Sequence, residues 1–584
     1  MYDGAVGKSI KIRNNLTSFA ISSLIGLAYF FLIFGGLSFL NPSNLIFVIG
    51  DSKSHYVSQL FFLSDDWRFP LGLNPNYGQE FSFTSSINGP GPFPLLFFQK
   101  LFGLRADLQF YGLLTWFNLT LHHQLARRIL LRFNFGFVSQ HLFGLMFFTP
   151  FLLFRLELHP FSVAIQWPIL WAILILLKRH RGERIKYGEV FSLVFLSYAI
   201  FINIWFIVVC VLLFQITQIK TLFLDLSKEK LTILSRVNPI ICGTLFASFL
   251  IDGLFLFGTN VANGVDRVKT EGWGVYSYNI LSIFNPDTGI RDDWYFKPGV
   301  GNVEGWTYNM STTRLSLGMT YGSYEGFSYI GLGAIVLGLI SLYHYKRNLI
   351  ENVKTIITPL SFMYTLVLVI YAIAPTRIAI GSLDVRIVPS EIINLIQPIF
   401  PFRSSGRMMI SFAYLLILVA IVSIKKAFPS RTCAIISFCL IIQFIDLSSP
   451  LLERYSFAKD LTQQNLDWRS DVPTELSIIS KGKKELRTFP VENPLKGYEH
   501  LAWWAWQLNL STNSVYSARP NQNLLSSVSE EEKRKICFNM ISSDAVYAVQ
   551  QSESGTGKLR NCDLSLYATT KVNNWLFLAK ISQK

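Results

Sequence analysis

Long apolar runs constrain the fold of this chain more than any other feature of its sequence. They recur in stretches of about 18 to 25 residues, and a helix of that length crosses a hydrocarbon core of about 30 Å. Hydrophobic residues make up 51% of the 584 residues, and charged residues only 15%. The first run, at 15–40, is too long for the apolar part of a signal peptide, so we expect it to remain as the first span. The sequence therefore predicts a polytopic membrane protein.

The basic residues indicate how the spans are oriented. A net charge of +15 is also typical of proteins that bind nucleic acid, but here the lysines and arginines sit in short loops between the apolar runs. Such loops stay on the cytoplasmic side of a membrane, so the charge reflects topology and predicts no nucleic-acid partner. The basic clusters fall at 8–13, 127–132, 178–186, 220–236, 346–354 and 425–431.

Between successive basic clusters, the apolar material is long enough for an outward and a returning span. This predicts eleven spans, with the N-terminus inside and the C-terminus outside. The segment at 188–220 is alternatively one long helix, but the later basic clusters would then face outward, so we expect a hairpin that turns near Asn203 and Trp205. The predicted spans are 17–40, 107–126, 134–154, 160–178, 188–202, 204–220, 237–258, 326–345, 354–374, 407–424 and 431–448.

This topology places three regions on the outer side. The transmembrane domain, 1–449, carries a large first outer loop at 41–106 and a second outer loop at 259–325 that is rich in Trp, Tyr, Asn and Gly. Residues 450–584 change to polar stretches with the strand-like runs ELRTFPV, SDAVYAV and WLFLAK. These runs predict a small extracytoplasmic α/β domain.

Two features of the C-terminal region leave alternatives open. Cys537 and Cys562 form a disulfide, as an extracytoplasmic location allows, or they remain free thiols. The AWWAWQ segment at 502–507 stacks on sugar faces or is buried against the membrane domain, and we expect burial.

The first outer loop carries the candidates for catalysis. Asp51 and His55 are four residues apart, so in a helix both side chains share one face. A carboxylate beside a histidine can act as a general base with an orienting partner, or Asp51 simply caps the helix. Asp65 and Asp66 offer oxygen ligands for a divalent cation such as Mg²⁺ or Mn²⁺, or Asp66 pairs with Arg68 in a turn.

Two further outer segments carry arginines suited to a phosphate group, because the planar fork of a guanidinium matches phosphate oxygens. Arg155 and His159 lie in the short FRLELHP turn between the third and fourth predicted spans. The alternative there is an internal pair between Arg155 and Glu157. Arg403 and Arg407 flank a Ser-Ser-Gly segment at the outer entrance of the tenth span.

The second outer loop ends in YGSYEGFSYIG, which places Tyr324 and Glu325 at the mouth of the eighth span. An acid among aromatic rings can bind sugar hydroxyls or act as an acid with a raised pKa, although aromatic residues are also ordinary at a membrane interface. The chain has no G-x-x-x-x-G-K-[ST], H-E-x-x-H or C-x-x-C motif. Nucleotide hydrolysis and zinc proteolysis therefore have little support.

Several segments together resemble the GT-C superfamily of integral-membrane glycosyltransferases. They are GDSKSHYVSQLFFLSDDWRFPLGLNPNYG, YSYNILSIFNP, YEGFSYIGLG and FRSSGR, and they are most similar to an uncharacterised bacterial membrane family grouped with that superfamily. The resemblance implies an α-helical, GT-C-like membrane domain of about 11 helices in a bacterial inner membrane. It also implies a polyprenyl-phosphate sugar as donor and a carboxylate in the first outer loop, which Asp51 matches. Many of these enzymes have two adjacent acids there, whereas Ser52 follows Asp51 here, so a divalent cation is only a possible cofactor.

The function expected from this resemblance is transfer of a sugar from polyprenyl phosphate to an extracytoplasmic glycan, lipid or protein. The rivals are a transporter or flippase for a lipid-linked saccharide and a non-catalytic assembly factor of the cell envelope. In the enzyme, Asp51 is the expected general base and His55 its orienting partner. The donor phosphate is assigned to Arg155, His159, Arg403 and Arg407, and the acceptor sugar to Asp66, Arg68, Tyr324 and Glu325.

Overall fold

A computed structural model of the chain shows a helical body and a small C-terminal sheet. The structure describes the main ranges given in the next sentence and, in addition, six single positions, which are 243, 246, 372, 389, 391 and 392. The main ranges are 2–49, 51–69, 71–78, 93–158, 162–181, 183, 185–213, 276, 278–288, 309–317, 323–345, 377–380, 383–386, 404–464, 467–492, 495, 497–516 and 521–581.

Fifteen α-helices occur among these described residues. The first nine are α1 (Tyr2–Phe34), α2 (Asp51–Ser64), α3 (Phe93–Leu101), α4 (Tyr111–Leu131), α5 (Phe137–Gly144), α6 (Pro150–Leu158), α7 (Trp167–His180), α8 (Tyr187–Ile200) and α9 (Ile202–Leu213). The others are α10 (Leu332–Tyr345), α11 (Ile410–Ala427), α12 (Thr432–Gln464), α13 (Thr474–Ile479), α14 (Tyr498–Gln507) and α15 (Gln522–Cys537).

Three helical segments within the described residues are long and apolar enough to cross a membrane. They are Asn15–Phe34, Ser405–Ala427 and Thr432–Gln464, and they cover predicted spans one, ten and eleven. A fourth candidate is the pair Phe137–Phe147 and Pro150–Leu156, which bends by 64° at its break. Beyond these four candidates, the number of spans and the orientation of all spans stay a prediction.

Four other predicted spans contain shorter apolar helices, namely α7, α8, α9 and α10. These helices have 12 to 14 residues, which is about 18 to 21 Å at 1.5 Å per residue and less than a hydrocarbon core. The segment at 188–220 is not one continuous helix, because extended backbone at Phe201 separates α8 from α9. The spans predicted at 237–258 and 354–374 lie outside the described ranges.

Small residues let the helices approach closely, as is common in membrane bundles. A Cβ added to Gly333 in α10 would lie 2.1 Å from the carbonyl oxygen of Cys439 in α12. A Cβ added to Gly112, at the start of α4, would lie 1.9 Å from the carbonyl oxygen of Phe39. These two contacts need glycine because no side chain fits between the backbones.

The C-terminal region forms a five-stranded mixed sheet in the order β4-β3-β5-β7-β6. The three strand-like runs of the sequence become β3, β5 and β7, so those predictions are confirmed. Helix α12 runs without interruption through the predicted boundary at 449/450. The strands are β3 (Glu485–Phe489), β4 (Ser511–Thr512), β5 (Ala545–Gln550), β6 (Tyr567–Val572) and β7 (Trp575–Lys580), and a separate hairpin pairs β1 (Arg377–Ile380) with β2 (Leu383–Arg386).

Cys537 and Cys562 are joined by a disulfide. The bond ties the end of α15 to the segment before β6, beside a small core that includes Phe489, Ile536 and Leu578. It closes a loop with a sequence separation of 25 residues. Of the two alternatives left open by the sequence, the structure has the bonded one.

The AWWAWQ segment lies in α14, and two of its three tryptophans are buried, whereas Trp506 is partly exposed. Trp503 and Trp504 are 5% and 3% exposed. The Trp506 indole nitrogen donates to Ser64 Oγ at 2.8 Å, which joins α14 to the end of α2 in the first outer loop. Sugar stacking and burial against the membrane domain were the two alternatives for the AWWAWQ segment. In the structure it packs on the first outer loop.

Candidate functional site

Helix α2 begins at Asp51, the expected general base, and also carries its expected partner, His55. The backbone of Asp51 is helical, and nothing is described of its side chain. His55 lies one turn further on, and burial lowers the pKa of its imidazole to about 4. His55 is therefore neutral at physiological pH, which suits an orienting partner better than a binder of phosphate.

Lys53 lies between these two candidates and is almost completely buried. Its ammonium is 3.7 Å from Glu499 Oε1 and 5.3 Å from the centre of the Trp468 ring. Burial lowers the pKa of Lys53, and the neighbouring Glu499 carboxylate raises it in part. The C-terminal region therefore contacts the first turn of α2 through Glu499 and Trp468.

Asp65 and Asp66 lie just after α2, and their surroundings differ. Asp65 is half-buried and accepts a hydrogen bond from the Asn76 amide, and burial raises the pKa of its carboxyl group. Asp66 is exposed, as is Arg68. Lys100 donates to the Phe62 carbonyl oxygen at 2.5 Å, and burial lowers the pKa of Lys100 to about 8.

This acidic segment was the candidate for a divalent cation. Asp65 Oδ2 is buried without a hydrogen-bond partner among the described residues, which is one feature of a ligand oxygen. However, no group of three His, Cys, Asp or Glu residues suited to a metal ion occurs in the described part of the chain. Mg²⁺ often takes only one or two protein carboxylates and keeps several waters, so a cation at Asp65 and Asp66 stays a prediction, and we assign no step to it.

Four residues singled out in distant segments of the sequence converge in the structure. Arg155 at the end of α6 donates from Nη1 to Glu325 Oε2 at 3.1 Å and from Nη2 to the carbonyl oxygens of Tyr324 and Glu325 at 2.9 and 2.6 Å. Arg407 donates from Nε to Glu325 Oε2 at 2.7 Å and from Nη2 to Oε1 at 2.5 Å. We call Arg155, Glu325 and Arg407 the arginine cluster.

The arginine cluster is buried and has more positive than negative charge. Its side chains are 2%, 4% and 11% exposed for Arg155, Glu325 and Arg407. Two guanidinium groups and one carboxylate sum to +1. The Arg407 guanidinium also lies 5.4 Å from the ring of Phe201, at the break between α8 and α9. Charges in such a place are costly unless they are paired and hydrogen-bonded, and the Glu325 carboxylate pairs with both guanidinium groups.

The alternative pair of Arg155 and Glu157 involves a side chain, that of Glu157, outside the described part of the structure. His159 and Arg403, the other two candidates for phosphate binding, also lie outside the described residues. The structure thus brings together Arg155, Tyr324, Glu325 and Arg407. His55, Asp65, Asp66 and Arg68 belong to a separate part, α2 and the turn that follows it.

Sequence reasoning missed a buried carboxylate in α12. Asp446 is 2% exposed and accepts hydrogen bonds from the Tyr329 hydroxyl and the Leu332 amide, both at 2.8 Å, and from Ser311 Oγ. It anchors the end of the second outer loop to the last span. Its position inside an apolar run was the available signal, because acids are rare there without a partner.

A second missed group lies between α1, α4 and α5. His123 contacts Ser22 Oγ at 2.9 Å and the His141 carbonyl oxygen at 3.0 Å, and the two histidine rings stack with their centres 5.4 Å apart. Arg127 donates to the side-chain oxygens of Gln124 and Gln140 at 3.2 and 2.9 Å. The adjacent histidines in an otherwise apolar helix were the signal for this polar layer.

Comparison with known proteins gives a family and distant similarity to solved structures. The family described as "Domain of unknown function (DUF6311)" matches residues 23–448. No curated protein matches the chain. Among solved structures, the chain is similar to the apo crystal structure of the Archaeoglobus fulgidus oligosaccharyltransferase, with 10% identity and a TM-score of 0.42. That alignment covers 98% of this chain and 75% of the archaeal one.

Proposed function

The chain belongs to the family described as Domain of unknown function (DUF6311), and we propose that this member is a membrane glycosyltransferase. It moves a sugar from a polyprenyl-phosphate donor to a glycan, lipid or protein acceptor. The reaction takes place on the outer side of a bacterial inner membrane. The C-terminal domain lies on that same side.

The arginine cluster is the observation that supports this proposal most. Among the described residues, its two guanidinium groups share one buried carboxylate, that of Glu325. Phosphate is one of the anions that arginine binds well in proteins. The lipid-linked phosphate of the donor would bind beside the two guanidinium groups, and Glu325 would hold both of them in position for it.

In this mechanism, Asp51 removes the proton from the acceptor hydroxyl. The acceptor oxygen then forms a bond to the anomeric carbon, and the bond from that carbon to the phosphate oxygen breaks. The electron pair leaves with polyprenyl phosphate, whose developing charge Arg155 and Arg407 neutralise. Neutral His55 orients the Asp51 carboxylate.

We assign the acceptor to exposed residues of the first outer loop, which also carries Asp51. Asp66 and Arg68 are exposed and close to α2 in sequence, so they are available for the hydroxyl groups of a sugar. Trp67 between them is 42% exposed and offers a ring face for stacking. Both carboxylate oxygens of Glu325 are bound by arginine, so its proposed part is to position the phosphate site.

The test measures lipid-linked sugars and envelope glycans by mass spectrometry. It compares cells that lack the protein with cells that carry the wild type, Asp51→Asn or Asp460→Asn, where Asp460 is an exposed carboxylate of α12. We expect one polyprenyl-phosphate sugar to accumulate and one glycan to lose one residue in the null and Asp51→Asn strains only. Unchanged pools in the null strain would contradict the enzyme and favour a scaffold.

A further inference from the structure

The C-terminal domain contacts the first outer loop at several points, three of which are made by α14 and β4. Lys53 in α2 meets Glu499 in α14 at 3.7 Å. At the other end of the same two helices, the Trp506 indole nitrogen donates to Ser64 Oγ at 2.8 Å. Tyr77, further along the loop, forms a parallel bridge with Thr512 in β4.

The bridge at Tyr77 extends the C-terminal sheet into the outer loop. The Gly78 amide donates to the Thr512 carbonyl oxygen at 2.7 Å, and the Thr512 amide donates to the Asn76 carbonyl oxygen at 2.9 Å. Strand β4 is an edge of the sheet, so this pairing uses backbone groups that would otherwise be open. The loop is therefore attached to the domain by backbone as well as side chains.

Helix α2 has two opposite faces, one that contacts the C-terminal domain and one on which positions 51 and 55 fall. At about 100° per residue, positions 53, 57, 60 and 64 fall on one face of the helix. Val57 and Leu60 on this face are fully buried, and its end positions make the contacts with α14. Positions 51 and 55 fall on the opposite face, about 160° away from position 53.

We propose that the C-terminal domain is the positioning element for α2. By holding the 53–64 face through Glu499 and Trp506, it sets the rotation and the start of the helix, and so the place of Asp51 and His55. Glu499 and Trp506 are positioning residues, because they contact α2 and not the reacting groups. The consequence for catalysis rests on the proposed function, whereas the docking itself does not.

The docking is tested by hydrogen–deuterium exchange on the purified full-length protein in lipid nanodiscs. The variant Glu499→Gln with Trp506→Phe removes the ion pair and the indole hydrogen bond; glutamine keeps the shape of the first side chain, and phenylalanine keeps an aromatic ring at the second. We expect amides in residues 52–62 to exchange about tenfold faster than in the wild type. Amides of β5 and β7 should keep their rates.

Glu531→Gln serves as the matched control, because it removes an exposed ion pair with Arg534 on α15 of the same domain. It should leave exchange in α2 unchanged. Unchanged exchange of residues 52–62 in the double variant would overturn the proposal. Equal acceleration in β5 and β7 would also overturn it, since the contacts would then stabilise the domain as a whole.

A kinetic measurement separates positioning from a purely structural role. If α2 is misplaced while the arginine cluster is intact, kcat for sugar transfer falls about tenfold and the KM for the donor is unchanged. A raised KM with unchanged kcat would overturn the positioning role. If the wild type transfers no sugar at all, the proposed function fails, and the exchange experiment still decides the docking.

Discussion

Arg407 binds both carboxylate oxygens of Glu325, with Nε 2.7 Å from Oε2 and Nη2 2.5 Å from Oε1, while Arg155 donates to Oε2 from the other side. These three residues come from α6, from the end of the second outer loop and from the turn before α11. The shared carboxylate therefore fastens three distant parts of the chain to each other.

Replacement of the shared carboxylate should be more damaging than replacement of one arginine. Glu325→Gln removes the carboxylate that both buried guanidinium groups share, which costs about 3 to 5 kcal/mol. Arg407→Gln leaves the pair of Arg155 and Glu325 in place and costs about 2 kcal/mol through lost hydrogen bonds. We expect strongly reduced membrane abundance for Glu325→Gln only. Equal losses in both variants would contradict a carboxylate shared by the two arginines.

The stability of the protein should depend on pH through His55. Burial lowers the pKa of His55 from its ordinary value of 6.5 to about 4 in the folded protein. The unfolded chain therefore binds more protons between these values, and the stabilisation, complete above pH 6.5, is lost as the pH falls toward 4. Between pH 7.5 and pH 5 the loss is about 2 kcal/mol.

This dependence is measured as the thermal unfolding midpoint of the wild type and of His55→Gln at pH 7.5 and pH 5. The wild type should lose more stability on acidification than the variant. The difference between the two proteins isolates His55 from the other groups that titrate in this range. Identical shifts in both proteins would show that His55 is free to take up a proton in the folded state.

The disulfide between Cys537 and Cys562 tests the topology. A loop of this length is worth about 3 kcal/mol, so Cys537→Ser with Cys562→Ser should lower the unfolding midpoint of the C-terminal domain. Disulfides persist outside the cytoplasm. In wild-type cells the pair should resist maleimide labelling until a reductant is added. Labelling without reductant would contradict an oxidising location for the domain.

Two glycines of α10 form a matched pair for testing the helix packing. Gly333→Ala places a Cβ 2.1 Å from the Cys439 carbonyl oxygen, so α10 must move away from α12. Gly338→Ala meets no atom of the described residues within 4 Å and improves helix propensity by up to about 1 kcal/mol. We expect a lower unfolding midpoint for Gly333→Ala alone. A similar midpoint in both variants would contradict the close contact.

Local patterns in the sequence predicted much of the fold. Long apolar runs predicted the helices at spans one, ten and eleven, and short strand-like runs predicted β3, β5 and β7, because both patterns depend on neighbours in the chain. The break at Phe201 was expected two residues later, near Asn203. The bend of 64° between Phe147 and Pro150 was not expected, since the run reads as one continuous apolar span.

The partners of the candidate residues were harder to predict, because they come from distant segments. Local charge at a membrane interface identified each residue of the arginine cluster. Their contact with one another depends on how α6 and α11 pack, which no local pattern predicts. Glu499 and Trp506 were not connected with Asp51, since no local signal links positions more than 400 residues apart. The partners of Asp446 were not predicted, because Ser311 and Tyr329 lie 135 and 117 positions away in the chain.

Sugar transfer by the purified protein tests the central proposal most directly. The protein in lipid nanodiscs is incubated with a panel of polyprenyl-phosphate monosaccharides and a membrane extract as acceptor, and released polyprenyl phosphate is measured by mass spectrometry. We predict release from one donor by the wild type, none by Asp51→Asn, and a raised donor KM for Arg407→Gln. Release by Asp51→Asn at the wild-type rate, or no release from any donor by the wild type, would contradict the account.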